Sequence, residues 1–234
     1  MCGRFALAHP KPVLQDWMHI TTMPDFLARY NVAPSTKIMT VRDTKDGRVG
    51  SMMRWGLVPP WVSDANKLPM LNNARGETVM EKPMFKQAVH RRRCIIPISG
   101  FYEWQTIPGQ KTKQPFYISF KDKSPMALAA IWETSKLPDG ESGQFLETCT
   151  ILTIDANALV SPIHDRMPVI LAKKDWDLWL TPEPLVTSTI TPLIKPYDAN
   201  QMQAWCVSTE VNRVANDSVD LITPLLVVNS KACP

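Results

Sequence analysis

The second residue of the chain is a cysteine, directly after the initiator methionine. Initiator methionine is normally removed when the next residue is small, and cysteine qualifies. Removal leaves an α-amine and a thiol on one residue, with ordinary pKa values of about 7.7–8.0 and about 8.5, so roughly a tenth of the amine is unprotonated at neutral pH. A 1,2-aminothiol of this kind condenses with aldehydes. The amine forms an imine, and the tethered sulfur then closes a five-membered thiazolidine ring with the effective molarity of an intramolecular reaction. The other reading is an incidental cysteine on a frayed terminus, and retention of Met1 would block the amine altogether.

Three further stretches carry groups for proton transfer or oxygen binding. In Gly100-Phe101-Tyr102-Glu103-Trp104, the carboxyl of Glu103 lies among aromatic neighbours. Partial desolvation there raises a carboxyl pKa and suits it to acid–base work, whereas simple strand alternation would point it into solvent. In Ile163-His164-Asp165-Arg166-Met167-Pro168, a histidine, an acid and an arginine stand side by side between apolar runs. They read either as a proton-transfer and anion-binding corner or as a loop with a local salt bridge. Asn72-Asn73-Ala74-Arg75-Gly76-Glu77-Thr78 supplies amide and guanidinium donors for a substrate's oxygens, or else a polar turn. Arg54-Trp55-Gly56 and Pro59-Pro60-Trp61 place aromatics beside positive charge, a pairing that suits unpaired bases and phosphates, with a core anchor as the alternative for Trp61. His90-Arg91-Arg92-Arg93 reads as a solvated face, and His9, His19 and His90 as surface or helix residues.

The elements that must position these groups are short. The 234 residues suit one domain spanning 1–234, and 21 prolines against 9 glycines predict many brief elements joined by stiff turns. Strand-like runs cover Ile38 to Val41, Val49 to Trp55, Cys94 to Ile98, Phe116 to Phe120, Met126 to Trp132 and Thr148 to Ile154, with Asp46-Gly47 as a hairpin signal. Helical spacing occurs over Pro12 to Ile20, Pro83 to His90 and Lys173 to Leu180. Few strand–helix–strand alternations are present. The fold class expected is α+β: a β-rich single domain with a curled, barrel-like, mainly antiparallel sheet and peripheral helices.

Composition narrows the rest. Hydrophobic residues at 44% and charged residues at 21% exclude a disordered chain or a coiled coil. A net charge of +4 permits nucleic-acid binding without demanding it. No apolar run approaches the ~18 residues of a membrane span, and the first residues lack a signal peptide's apolar stretch, so a cytoplasmic protein is expected. Five widely and irregularly spaced cysteines argue against a disulfide framework or a zinc site. Cys94 and Cys149, in apolar runs, are expected to be inert core thiols.

Taken together, the stretches resemble the SOS-response-associated peptidase (SRAP) family of abasic-site processing proteins. The matching motifs are Met1-Cys2-Gly3-Arg4-Phe5, Arg29-Tyr30-Asn31-Val32-Ala33-Pro34, Arg54 to Trp61, Asn73 to Thr78, Arg93-Cys94-Ile95-Ile96-Pro97 with Gly100 to Trp104, and Ile163 to Leu171. They fall in order from residue 1 to about 171, with a looser likeness from Tyr197 to Thr223. The resemblance implies a protein that binds single-stranded DNA and captures the ring-opened aldehyde of an abasic site as a thiazolidine on the mature N-terminal cysteine, with lyase chemistry as a competing outcome. By position it implies Cys2 as nucleophile, Glu103 and His164 as catalytic groups, and Asn73 as a holder of the sugar or the cysteine. It implies Arg4, Arg75 and Arg166 as phosphate grips, and Asn31, Pro34 and Trp61 as parts of the DNA groove and stacking wedge. A monomer needing neither cofactor nor metal is expected. The rival reading is an N-terminal-nucleophile hydrolase or peptidase in which the Cys2 sulfur attacks an amide.

Overall fold

A computed structural model describes residues 2–64, 71–138 and 145–225. Its strands, in chain order, are β1 (Phe5–Leu7), β2 (Arg29–Val32), β3 (Lys37–Thr44), β4 (Gly47–Trp55), β5 (Asn73–Arg75), β6 (Arg93–Ile98), β7 (Gly100–Gln105), β8 (Gln114–Phe120), β9 (Met126–Pro138), β10 (Phe145–Asp155), β11 (Arg166–Pro168) and β12 (Met202–Cys206). The helices are α1 (Lys11–Met18), α2 (Pro83–Arg91), α3 (Trp176–Leu180) and α4 (Thr187–Ile190). Proline in the first turn of α1 and α2 supplies a helical φ where its missing N–H costs nothing.

Strands β3 and β4 form the hairpin that Asp46-Gly47 signals. Thr44 faces Gly47, which takes a φ of 107° that residues with a side chain rarely adopt. From this hairpin the ladder runs antiparallel through β6, β9 and β10, and β10 returns to pair in parallel with β4. Five strands therefore close into a barrel, which removes the exposed sheet edges that invite aggregation. β5 and β11 add to β10 outside the closed ring. Met53, Trp55, Ile95, Ala129 and Ile151 are fully buried, and burying a large aliphatic side chain contributes about 1.5–3 kcal/mol.

A second, wholly antiparallel sheet runs β12-β8-β7-β1-β2. Its tightest point is Gly100, where a Cβ would come within 2.5 Å of the Tyr117 ring and 2.6 Å of the Ile118 carbonyl. One hydrophobic cluster spans both sheets, with Phe5 and Phe101 from the second sheet packed with Trp55 and Ile95 from the barrel. The expected fold class is met, although the β structure divides into a barrel and a separate sheet instead of one curled sheet.

Two expectations need correction. Arg93 is buried and donates to the carbonyls of Trp179, Val89, Thr181 and Glu183, so this end of the arginine run is a scaffold and not a solvated face. Cys206 is disulfide-bonded, where the sequence suggested no disulfide framework, whereas Cys2, Cys94 and Cys149 are buried free thiols. Of the two readings of Glu103, the structure agrees with the desolvated one: the residue sits inside a strand and is almost wholly buried. Among the described residues no helix is long and apolar enough to cross a membrane.

Candidate active site

The second sheet and the barrel meet at the N-terminal segment. Antiparallel pairing of Phe5 with Phe101, and a 2.9 Å bond from the Tyr102 N–H to the Arg4 carbonyl, lay residues 2–4 alongside β7. Asn73, set by the parallel pairing of β5 with β10, donates from Nδ2 to the Cys2 carbonyl at 2.8 Å. Cys2 is fully buried. Burial pushes its thiol pKa up, and the nearby Glu103 carboxyl pushes it the same way, so the sulfur is protonated at neutral pH.

Glu103, on β7, is 2% exposed. Burial raises its pKa to about 7, and the charge of Asp165 adds to the effect. A carboxyl in this state is split between acid and carboxylate at neutral pH, the condition in which it transfers protons in either direction.

His164 closes the constellation from the loop before β11. Asn157 Oδ1 accepts from the N–H groups of Leu159 and Val160, and the Ala156 N–H bonds the Asp165 carbonyl at 2.9 Å, which fixes the loop. The imidazole Nε2 lies 3.9 Å from Glu103 Oε2. The Arg166 backbone N–H donates to Nδ1 at 3.0 Å. The Asp165 carboxylate meets the same Nδ1 at 2.8 Å, and Nε2 faces the glutamate. Burial holds the ring's pKa below the usual histidine value, with the exposed Asp165, 2.8 Å from Nδ1, pulling weakly the other way. At neutral pH the site thus combines a half-protonated carboxyl with a neutral imidazole. That inverts the ordinary order of the two groups, and opposed shifts of this kind mark acid–base assignments.

Glu103 and His164 open onto a polar cleft of about 410 Å³ that Arg4, Trp104, Lys113 and Asn212 also line, with Cys2 buried behind it. Trp104 donates from its indole N–H to Asn212 Oδ1 at 2.7 Å, and the Arg4 guanidinium lies 5.9 Å from the Trp104 ring centre. Lys113 and Asn212 did not emerge from the sequence. Lys113 sits in the β7–β8 connection with no motif around it, and Asn212 comes from a distant segment.

The other expected site residues divide by environment. Trp61 is 59% exposed, so it is no core anchor, and Arg75 is exposed as well. Pro34 is half-buried. Asn31 is buried, with its Nδ2 donating to the carbonyls of Val211, Arg213 and Asn216 and its Oδ1 accepting from Arg4. It thus straps the C-terminal wall of the cleft to β2. Arg4 also donates to the Val211 carbonyl at 2.8 Å. Arg166 is buried, with Glu77 at 2.6 and 2.8 Å, Asp155 at 2.6 Å and the Thr153 carbonyl at 2.9 Å. Two carboxylates and a carbonyl occupy both terminal nitrogens of this guanidinium, and its buried Nε has no partner. Among the described residues no cluster of three or more His, Cys, Asp or Glu is arranged to hold a metal ion.

Acid–base chemistry beside an N-terminal cysteine is what this cleft is equipped to perform. The family model described as SOS response associated peptidase (SRAP) matches residues 1–214, and the chain belongs to that family. It is 40% identical over 226 residues to the abasic site processing protein YoqW of Bacillus subtilis (strain 168), a match covering 95% of this chain and 99% of that one. The abasic site processing protein HMCES of Pongo abelii is 30% identical over 278 residues, covering 99% of this chain and 78% of its own. An X-ray structure of a protein from Bacteroides thetaiotaomicron superposes with a TM-score of 0.77 at 25% identity, covering 96% of this chain and all of that one.

Proposed function

We propose that this protein processes abasic sites in single-stranded DNA by capturing them as a thiazolidine on Cys2. The observation that carries the reading is a chain of neighbours from four separate stretches: Asn73 bonds the buried Cys2, Cys2 lies within electrostatic reach of Glu103, and Glu103 and His164 line one open cleft. Names borne by its relatives point to the same substrate.

The chemistry follows from the protonation states. Once Met1 is removed, the Cys2 amine attacks C1′ of the ring-opened sugar and forms a carbinolamine. Glu103, as the carboxylic acid, protonates the departing hydroxyl, water leaves to give the iminium, and the iminium N–H proton returns to the Glu103 carboxylate to give the imine. The Cys2 S–H then adds across the C=N bond: sulfur bonds C1′, and the thiol proton ends on nitrogen. One water is released overall. Because burial keeps the sulfur protonated, the amine reacts first and the thiol only once the imine stands beside it. His164 donates from Nε2 to a sugar oxygen during ring opening, and Asn73 fixes the Cys2 backbone for the attack. Capture by sulfur outruns β-elimination from the imine, so the strand is preserved. A single strand also presents the sugar without the unstacking that a duplex demands. The protein acts as a monomer without cofactor.

The test mixes protein whose Met1 removal is verified by intact mass with a single-stranded oligonucleotide carrying one abasic site, on a denaturing gel. A shifted band that forms without borohydride, and is lost with Cys2→Ala or an intact oligonucleotide, supports the trap. Its absence, together with a thioester on an amide substrate, moves the assignment to the N-terminal-nucleophile hydrolase.

A further inference from the structure

The cations at the cleft are unequal. Arg166 is buried, and its charge is already engaged by two carboxylates. Arg4 lines the cleft, yet its Nη1 is held by Asn31 Oδ1 at 2.6 Å and the Val211 carbonyl at 2.8 Å. Lys113 is exposed, lines the same cleft, and has no carboxylate partner among the described residues. Its backbone position is set by the residue that follows it. Gln114, the next residue, pairs across the sheet with Gln105 and donates from Nε2 to the carbonyls of Pro115 and Val207. Gln105 in turn donates to the Pro162 carbonyl at 2.9 Å, tying the end of β7 to the loop that carries His164.

We infer that Lys113 is the phosphate-holding residue of the cleft, placed to engage the phosphodiester beside the abasic sugar and so to position that sugar over Glu103 and His164. This rests on the function proposed above and gives its site a cation beside the arginines Arg4, Arg75 and Arg166 that the resemblance implied. The ammonium is near enough to His164 to help hold the imidazole in its neutral form. The flat Trp104 ring, fixed by Asn212, forms the adjoining wall. A lysine contributes here as a compact point charge on a flexible stem, which suits a phosphate whose position shifts as the sugar opens.

The experiment compares wild type with Lys113→Gln, Lys113→Arg and Lys113→Glu, all with Met1 removed. Binding of an intact single-stranded oligonucleotide is read by fluorescence anisotropy from 50 to 200 mM salt. Crosslinking of an abasic oligonucleotide is read under single-turnover conditions. For Lys113→Gln we expect a binding slope against log salt shallower by about 0.7, the value for one phosphate contact on a single strand. The oligonucleotide concentration for half-maximal crosslinking should rise about three- to tenfold with the maximal rate within twofold, Lys113→Arg should restore binding, and Lys113→Glu should weaken it further. Unchanged affinity and salt slope in Lys113→Gln would overturn the inference. So would a fall in maximal rate with half-saturation unchanged. Wild-type protein that binds the intact strand but never crosslinks the abasic one contradicts the proposed function alone, because the anisotropy comparison still reads Lys113.

Discussion

Two glutamates from neighbouring motifs have opposite fates. Glu77 meets Arg166, whose hydrogen bonds hold its carboxyl below the usual glutamate pKa, so it stays charged and tethers β11 to the Asn73–Thr78 stretch. Glu103 is buried on β7, and burial lifts its carboxyl to about 7. Both side chains sit beside histidine, arginine or aspartate from the same His164-Asp165-Arg166 run. The arginine makes one of them structural, and burial makes the other reactive. A motif that presents an acid therefore says little until the neighbour and the solvent are known.

Substituting Glu103 should produce the largest effects. Glu103→Gln is expected to slow crosslinking about 100-fold, the lower range for loss of a positioned acid–base group, read by single-turnover gel assay. The same substitution should stabilise the fold in a pH-dependent way. A carboxyl whose folded pKa is raised to about 7 binds more protons folded than unfolded from about pH 4.3 upward. Stability is therefore lost as pH rises through that window and stays lower above it. At pH 8 the variant should gain about 3 kcal/mol in urea denaturation, and at pH 4 almost nothing.

On the other side, Arg166→Met should lower stability by about 2 kcal/mol, because Glu77, Asp155 and the Thr153 carbonyl lose their donor. The crosslinking rate per folded molecule should stay within threefold. A large rate loss in fully folded Arg166→Met would break the contrast by making the arginine a participant. Asn73→Ala, which frees the Cys2 carbonyl, should slow the reaction about tenfold, the equivalent of one hydrogen bond of about 1.4 kcal/mol. Glu77→Gln should be the mildest, below about 1 kcal/mol, since its carboxyl is partly exposed and Asp155 remains on the arginine.

Legibility in the sequence followed the length of the pattern. The β3–β4 hairpin and strands β6, β8, β9 and β10 were readable from apolar runs between turn residues, and α2 from its proline and apolar spacing. Strands β1, β5 and β11, three residues each, are too short for any periodicity to register, yet they carry or flank Arg4, Asn73 and His164. Closure of the barrel by β10 on β4 pairs residues 148 and 54, a match that no local signal encodes. Cys2, Asn73, Glu103 and His164 stood out by residue type, the resemblance supplied their roles, and their proximity comes from the pairing of β1 with β7 and of β5 and β11 with β10. Arg93 was misjudged, and the carboxylates on Arg166 went unseen, for one reason: an arginine's partners lie far along the chain. Arg93 bonds the carbonyls of residues 179, 181 and 183, and Arg166 bonds the carboxylate of residue 77. Sequence shows the charge and hides the partner. Lys113 was overlooked because an exposed lysine in a turn is ordinary until a cleft is seen beside it.

The most direct test follows crosslinking of one abasic oligonucleotide across pH 5.5 to 8.5 with wild type, Glu77→Gln and Glu103→Gln, each with a free Cys2 amine. In wild type and Glu77→Gln, a limb falling as pH rises through about 7 is expected, because the carboxylic acid form of Glu103 does the work. In Glu103→Gln that limb should vanish and the rate should be low throughout. Persistence of the same limb in Glu103→Gln would contradict the assignment of proton transfer to this carboxyl.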